Sequence, residues 1–121
     1  MARIEIVGSD LVVHVEGIDS FLAFKSEMRV PLAHITGVFS AREELQERPA
    51  FQVPGWWIPG VMIIGTFFRN DWSGKAFWDV HDIDKSIAVY LSGEDYTKMV
   101  IEVDDPEAAT REIIRAVATP R

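Results

Sequence analysis

The chain contains no cysteine, which removes disulfides, thiolate nucleophiles and cysteine-ligated zinc or iron–sulfur centres together. It also lacks a long apolar run. The longest, Val61 to Ile64 and on past Gly65 and Thr66 to Phe67 and Phe68, falls far short of the roughly 20 residues of a membrane-spanning helix. Neither the apolar segment nor the cleavage pattern of a signal peptide follows Met1. With cysteine absent as well, the expected compartment is the cytoplasm. Clustered Lys and Arg are missing too. Between Asp79 and Glu107 nine acids face two bases, which accounts for the whole net charge of −7, while the remainder balances. A surface of that sign repels phosphate polyanions and excludes nucleic acid as an expected partner. No Gly-x-Ser-x-Gly, no Gly-x-x-x-x-Gly-Lys and no His-Glu-x-x-His occurs, so the expectation is a protein without catalytic machinery and without a cofactor.

The 121 residues are enough for one domain that buries a core unaided, and the expectation is a single domain over 1–121. Period-2 alternation runs through Arg3–Ile6 and Leu11–Glu16 around Gly8-Ser9-Asp10, which predicts a β-hairpin. Alternation breaks over Gly17–Lys25, where Asp19 or Ser20 is placed to cap a short helical turn, and resumes at Glu27–Val30. Pro31 ends that strand because it cannot donate to a ladder, and a fourth strand is expected over Ile35–Phe39. From about 41 to 60, Pro49, Pro54 and Pro59 with Gly55 and Gly60 predict a long semi-rigid loop. Four apolar segments follow, Val61–Phe68, Ala76–Val80, Ile87–Leu91 and Met99–Val103. Short turn-rich connections between them suggest an antiparallel meander. The last element reads as a helix over about 105–118. Asp104 or Asp105 stands at its N-cap and Pro106 at an early position, with Ala109, Ile113, Ala116 and Val117 on one face and Glu107, Arg111 and Arg115 on the other.

This order of elements, with Val30-Pro31-Leu32-Ala33-His34-Ile35-Thr36-Gly37-Val38 and Val103-Asp104-Asp105-Pro106-Glu107-Ala108, resembles the bacterial PH-like (pleckstrin-homology-type) domains. Ile58-Pro59-Gly60-Val61, Gly65-Thr66 and Gly74-Lys75-Ala76-Phe77 are similar to small actinobacterial PH-like proteins of unassigned function. The resemblance implies a mainly β fold, a PH-like barrel of seven or eight antiparallel strands in two sheets, capped by one C-terminal helix. Phosphoinositide-binding members hold phosphates with bases around the first hairpin loop. Here that loop is Gly8-Ser9-Asp10, which carries none and argues against headgroup binding.

Three groups of residues are candidates for function. The Pro54-Gly55-Trp56-Trp57-Ile58-Pro59-Gly60 stretch reads as cover for an open end of the fold, as a lid over a small molecule or lipid tail, or as an interface anchor. Phe77, Trp78 and Tyr90 stand among apolar neighbours of both parities on adjacent strands, so something must cover the outer face of the second sheet. The leading expectation is a protein-interaction or self-assembly module in which these five aromatics form the contact, as a homo-oligomer or with another protein. Asp79, His81 and Asp84 make up a third candidate, a carboxylate–imidazole metal site, against the simpler reading of a solvated turn.

Overall fold

The computed structural model describes residues 2–17, 19, 26–42, 51–58, 62–68 and 74–119, with the side chains of 51–58 and 68 left aside. Its strands are β1 (Ala2–Val7), β2 (Asp10–Val15), β3 (Glu27–Pro31), β4 (Ile35–Ser40), β5 (Phe51–Ile58), β6 (Met62–Phe68), β7 (Lys75–Val80), β8 (Ser86–Leu91) and β9 (Tyr96–Glu102), and the helix α1 spans Pro106–Ala118. The first three form one sheet in the order β1-β2-β3, and the others form a second in the order β4-β8-β9-β7-β6-β5. The fold is therefore mainly β, in two sheets with a C-terminal helix. The sheets are not closed into a barrel: among the described residues no ladder joins β1 or β3 to the larger sheet.

The first hairpin forms as its alternation predicts, with Ile4 opposite Val13 and Ile6 opposite Leu11. Gly8 at φ 60° takes the left-handed turn position that a side chain disfavours. Leu11, Val13, Met28 and Val30 project from this sheet into a core shared with Ile64, Phe77, Val89, Met99 and Ile101 of the larger sheet. The helix closes the same core with Ala109, Ile113 and Ala116. Asp105 is its N-cap, accepting from the Ala108 N–H at 3.1 Å. Val117, expected on the buried face, is 40% exposed, because the stripe of Ala109, Ile113 and Ala116 already fills the contact.

Two expectations need correction. The stretch 41–60 is not a loop throughout, since β5 occupies Phe51–Ile58. Pro54 is tolerated because β5 is an edge strand and its register with β6 is irregular between Gln52 and Gly55, the two places where a sheet accepts proline. Residues 43–50, 59 and 60 lie outside the described residues, as does most of the helical turn expected near Asp19. The second correction concerns the meander. β9 inserts between β8 and β7, so β7 and β9 run parallel, with Phe77 beside Met99 and Asp79 beside Ile101. Among the described residues, nine strands with one parallel pair stand where seven or eight antiparallel ones are expected.

That insertion forces the β7–β8 connection to cross over the end of β9. The crossing segment is a 3₁₀ turn, Ile83–Lys85, capped by the Asp82 side chain. It is bonded to the strand beneath it, the Val103 N–H donating to the Lys85 carbonyl at 3.0 Å. Both faces of β8 and β9 are buried: Ile87, Val89, Met99 and Ile101 look to the main core, while Ala88 and Val100 join Phe67, Ala76, Trp78 and Val80 on the other side.

Candidate functional site

Asp79 sits near the end of β7, flanked in its ladder by Ile64 of β6 and Ile101 of β9. Its neighbours within the sheet therefore carry no charge, and Asp79 itself is fully buried. Directly after the strand, the His81 and Asp82 N–H groups both donate to Glu102 Oε1 at 2.8 Å. This carboxylate at the end of β9 fixes the backbone that aims the His81 ring. His81 Nε2 then lies 3.0 Å from each carboxylate oxygen of Asp19, which is also buried and belongs to the connection between β2 and β3. The donor atoms of Asp19, Asp79 and His81 all lie within 4.8 Å of one another.

The carboxylates of Asp19 and Asp79 thus approach each other in a buried corner. Two buried carboxylates at that range do not both ionise at low cost, so one of the pair holds its proton more tightly. Burial, followed by the hydrogen bond to Asp19, pushes Asp79 up to about 7. Burial opposes ionisation of Asp19 too, but the hydrogen bonds from Asp79 and His81 outweigh it and hold Asp19 down at about 2. The arrangement is thus Asp79 O–H to Asp19, with His81 Nε2–H donating to the same carboxylate. Two carboxylates and one imidazole are also a donor set that a divalent transition ion accepts.

The structure assembles part of the expected metal group and rearranges the rest. Asp79 and His81 do come together. Asp84 does not join them: it lies in the 3₁₀ turn and pairs with Arg42, and Asp19 takes the third position. The aromatic group fares differently. Phe77 and Trp78 are 0% and 2% exposed within the single chain, Phe77 packed edge-on to Tyr96 in the main core and Trp78 in the opposite cluster. Both are therefore interior residues of the single chain. Tyr90 is half-buried, edge-on to Phe39. Trp56 and Trp57 lie on β5, pairing with Ile64 and Ile63, and their side chains are outside the description. Buried Lys98, with its ammonium 5.6 Å from the Trp78 ring and 5.9 Å from that of Tyr90, was not singled out by pattern. A charge inside the apolar run of β9 is the signal that marks both Lys98 and Glu102, whereas nothing in the local sequence connects Asp19 to Asp79.

His14 and His34 are anchored locally. His14 Nε2 meets Glu5 across the hairpin at 2.9 Å, and His34 Nδ1 meets Glu94 at 2.5 Å.

A second feature lies at β3, the edge of the smaller sheet with which no strand pairs among the described residues. The Val15 N–H donates to the Ser26 carbonyl and the Leu32 N–H to the Ser9 carbonyl, and Leu11 and Val13 stand opposite Val30 and Met28. Bonded pairs alternate in an antiparallel ladder, so Met28 and Val30 turn their main-chain groups towards β2. Glu27, Arg29 and Pro31 turn theirs outward. That edge opens into a groove of about 450 Å³ between Glu27–Val30 on one wall and Leu91 with Gly93–Tyr96 on the other. Glu27, Glu94 and Asp95 outnumber Arg29 there, and Arg29 is drawn towards Asp10 at 3.2 Å.

Neither family models, nor curated proteins, nor solved structures give a match to this chain.

Proposed function

We propose that the protein is a non-catalytic interaction module that takes up an extended, basic segment of a partner protein as an added strand along β3. The observation that carries this reading is the outward-facing N–H and C=O groups of Glu27 and Arg29, which border an acid-lined groove. An exposed edge is a template for strand addition. Main-chain bonds supply the affinity, and the surplus of acids favours a basic occupant. The far wall, Gly93–Tyr96, favours a single strand over a second copy of this chain, since a second copy's β3 would bring its own β2 with it. The element order, strands followed by one helix packed on them, supports a PH-like relationship at the level of architecture, and the parallel β7–β9 pair departs from the pattern that relationship implies.

The test is a capped heptapeptide of alternating lysine and valine, titrated into the labelled protein and followed by amide chemical shifts. Saturable shifts confined to β3 and residues 93–96, absent with the alternating glutamate and valine peptide, are expected. An Arg29→Pro variant should keep the fold, because proline is accepted where its missing N–H faces away from the sheet, and should lose binding. Equal response to both peptides, or none, refutes the reading, and a concentration-dependent dimer whose interface shifts map to β3 replaces it with self-pairing.

A further inference from the structure

We infer that Asp19, Asp79 and His81 form a binding site for a divalent transition ion of the zinc kind, which ties the β2–β3 connection to the larger sheet. The three side chains come from separate parts of the chain: Asp79 from β7, His81 from the crossing connection after it, and Asp19 from the connection between β2 and β3. Among the described residues they are the one group of three such side chains whose donor atoms converge, all within 4.8 Å of one another.

The spacing suits an ion of that size. Nitrogen and oxygen donors hold zinc at about 2.0–2.2 Å, so two donors on one ion stand about 3–3.5 Å apart. His81 Nε2 lies 3.0 Å from each carboxylate oxygen of Asp19, so either oxygen already has that separation from it. The ion takes the place of the hydrogen that bridges Nε2 to Asp19. The imidazole proton then sits on Nδ1, and the Nε2 lone pair faces the metal.

The surroundings separate this group from a surface cluster of acids. Asp19 and Asp79 are 4% and 0% exposed, and the ladder neighbours of Asp79 are Ile64 and Ile101. Two carboxylates withdrawn from water repel each other, and a divalent ion between them turns the repulsion into attraction. The His81 ring is aimed from outside the group, because Glu102 Oε1 accepts the His81 and Asp82 N–H groups at 2.8 Å and fixes the main chain that carries the ring. The His81 side chain is 42% exposed, which leaves a path from solvent and room for water to complete the coordination. One imidazole among three protein ligands favours zinc and its neighbours over magnesium and calcium, which take oxygen ligands. The site does not depend on whether the β3 groove binds a peptide.

The experiment is titration of zinc into the full chain, freed of metal by chelation, at neutral pH, followed by calorimetry and by the nitrogen shifts of the histidine rings. One zinc per chain, a shift at His81 Nε2, and a Tm that rises by about 10 °C at a hundredfold excess over Kd are expected, with no response to magnesium or calcium. His81→Gln, at a half-exposed position, should keep the fold and bind zinc at least about tenfold more weakly. His14→Gln, which removes the histidine paired with Glu5, should bind as wild type does. No binding at millimolar zinc, ring shifts at His14 or His34 with His81 unmoved, or a His81→Gln variant as tight as wild type overturns the site. Should that variant fail to fold, the wild-type ring shifts decide: a zinc response at His81 Nε2 supports the site and its absence overturns it.

Discussion

Replacing Glu102 tests the claim that the crossing connection is held from beneath. Its carboxylate accepts two main-chain N–H groups, those of His81 and Asp82, both at 2.8 Å, and Glu102 is only 8% exposed. Hydrogen bonds to a charged acceptor contribute about 1.5–3 kcal/mol each, and a buried donor left without a partner costs a similar amount. Taking the lower end for each, because water gains some access to this edge, Glu102→Ala should destabilise the fold by about 3 kcal/mol. A chain of this length loses about 4 °C of Tm per kcal/mol, so the expected fall is about 12 °C. Glu102→Gln retains one acceptor oxygen at the same reach and loses only the charge assistance, so about half of that loss is expected. Urea unfolding gives both values, and exchange at the His81 and Asp82 amides locates the effect. The reasoning is refuted if the alanine variant lies within about 0.5 kcal/mol of wild type, or if the glutamine variant is as damaged as the alanine one.

The helix offers a paired test: Ile113→Ala should cost about 2–4 kcal/mol through the cavity it leaves in the main core, whereas Ile114→Ala, at a position 52% exposed, should change stability by less than about 0.5 kcal/mol, both read by urea unfolding. Acid should weaken the fold through Asp19. Its folded-state value of about 2 lies below the ordinary 3.8, so its contribution is present above about pH 4 and is lost as pH falls towards 2. An Asp19→Asn variant should show a shallower acid limb in thermal unfolding between those limits, and an unchanged limb would count against the hydrogen bonds from Asp79 and His81 as the cause of its lowered value.

The elements that the sequence made legible are those whose information is local. The first hairpin follows from alternation around a glycine turn, and α1 from a cap, an early proline and an apolar stripe. β5 was hidden by its own composition. Pro54 and Gly55 mark a loop on local grounds, and only the strand's place at the edge of the larger sheet, with an irregular register at that point, makes them acceptable. Phe77 and Trp78 stand among apolar neighbours of both parities, but burial on both faces admits two causes. An external partner and cover supplied from within the chain give the same sequence pattern, and here the single chain buries them. Asp19 was legible only as a possible helix cap, because its partners lie far along the chain and meet it through tertiary packing.

The insertion of β9 between β7 and β8 explains why both candidate features escaped a reading strand by strand. One end of the β8–β9 hairpin, Gly93–Tyr96, becomes the far wall of the groove beside β3. The other end supplies Glu102, which fastens the crossing connection and with it the His81 ring. A simple meander would have left β7 beside β8, needed no crossing segment, and given Glu102 no main-chain donors to hold. The two features thus share one topological cause while standing at opposite ends of β9, roughly 20 Å apart at the usual rise per residue of a strand. At that separation, substitutions at Glu102 and at Arg29 share no partner, so their effects on stability should add, as those of distant sites do. Each feature can then be tested with the other intact.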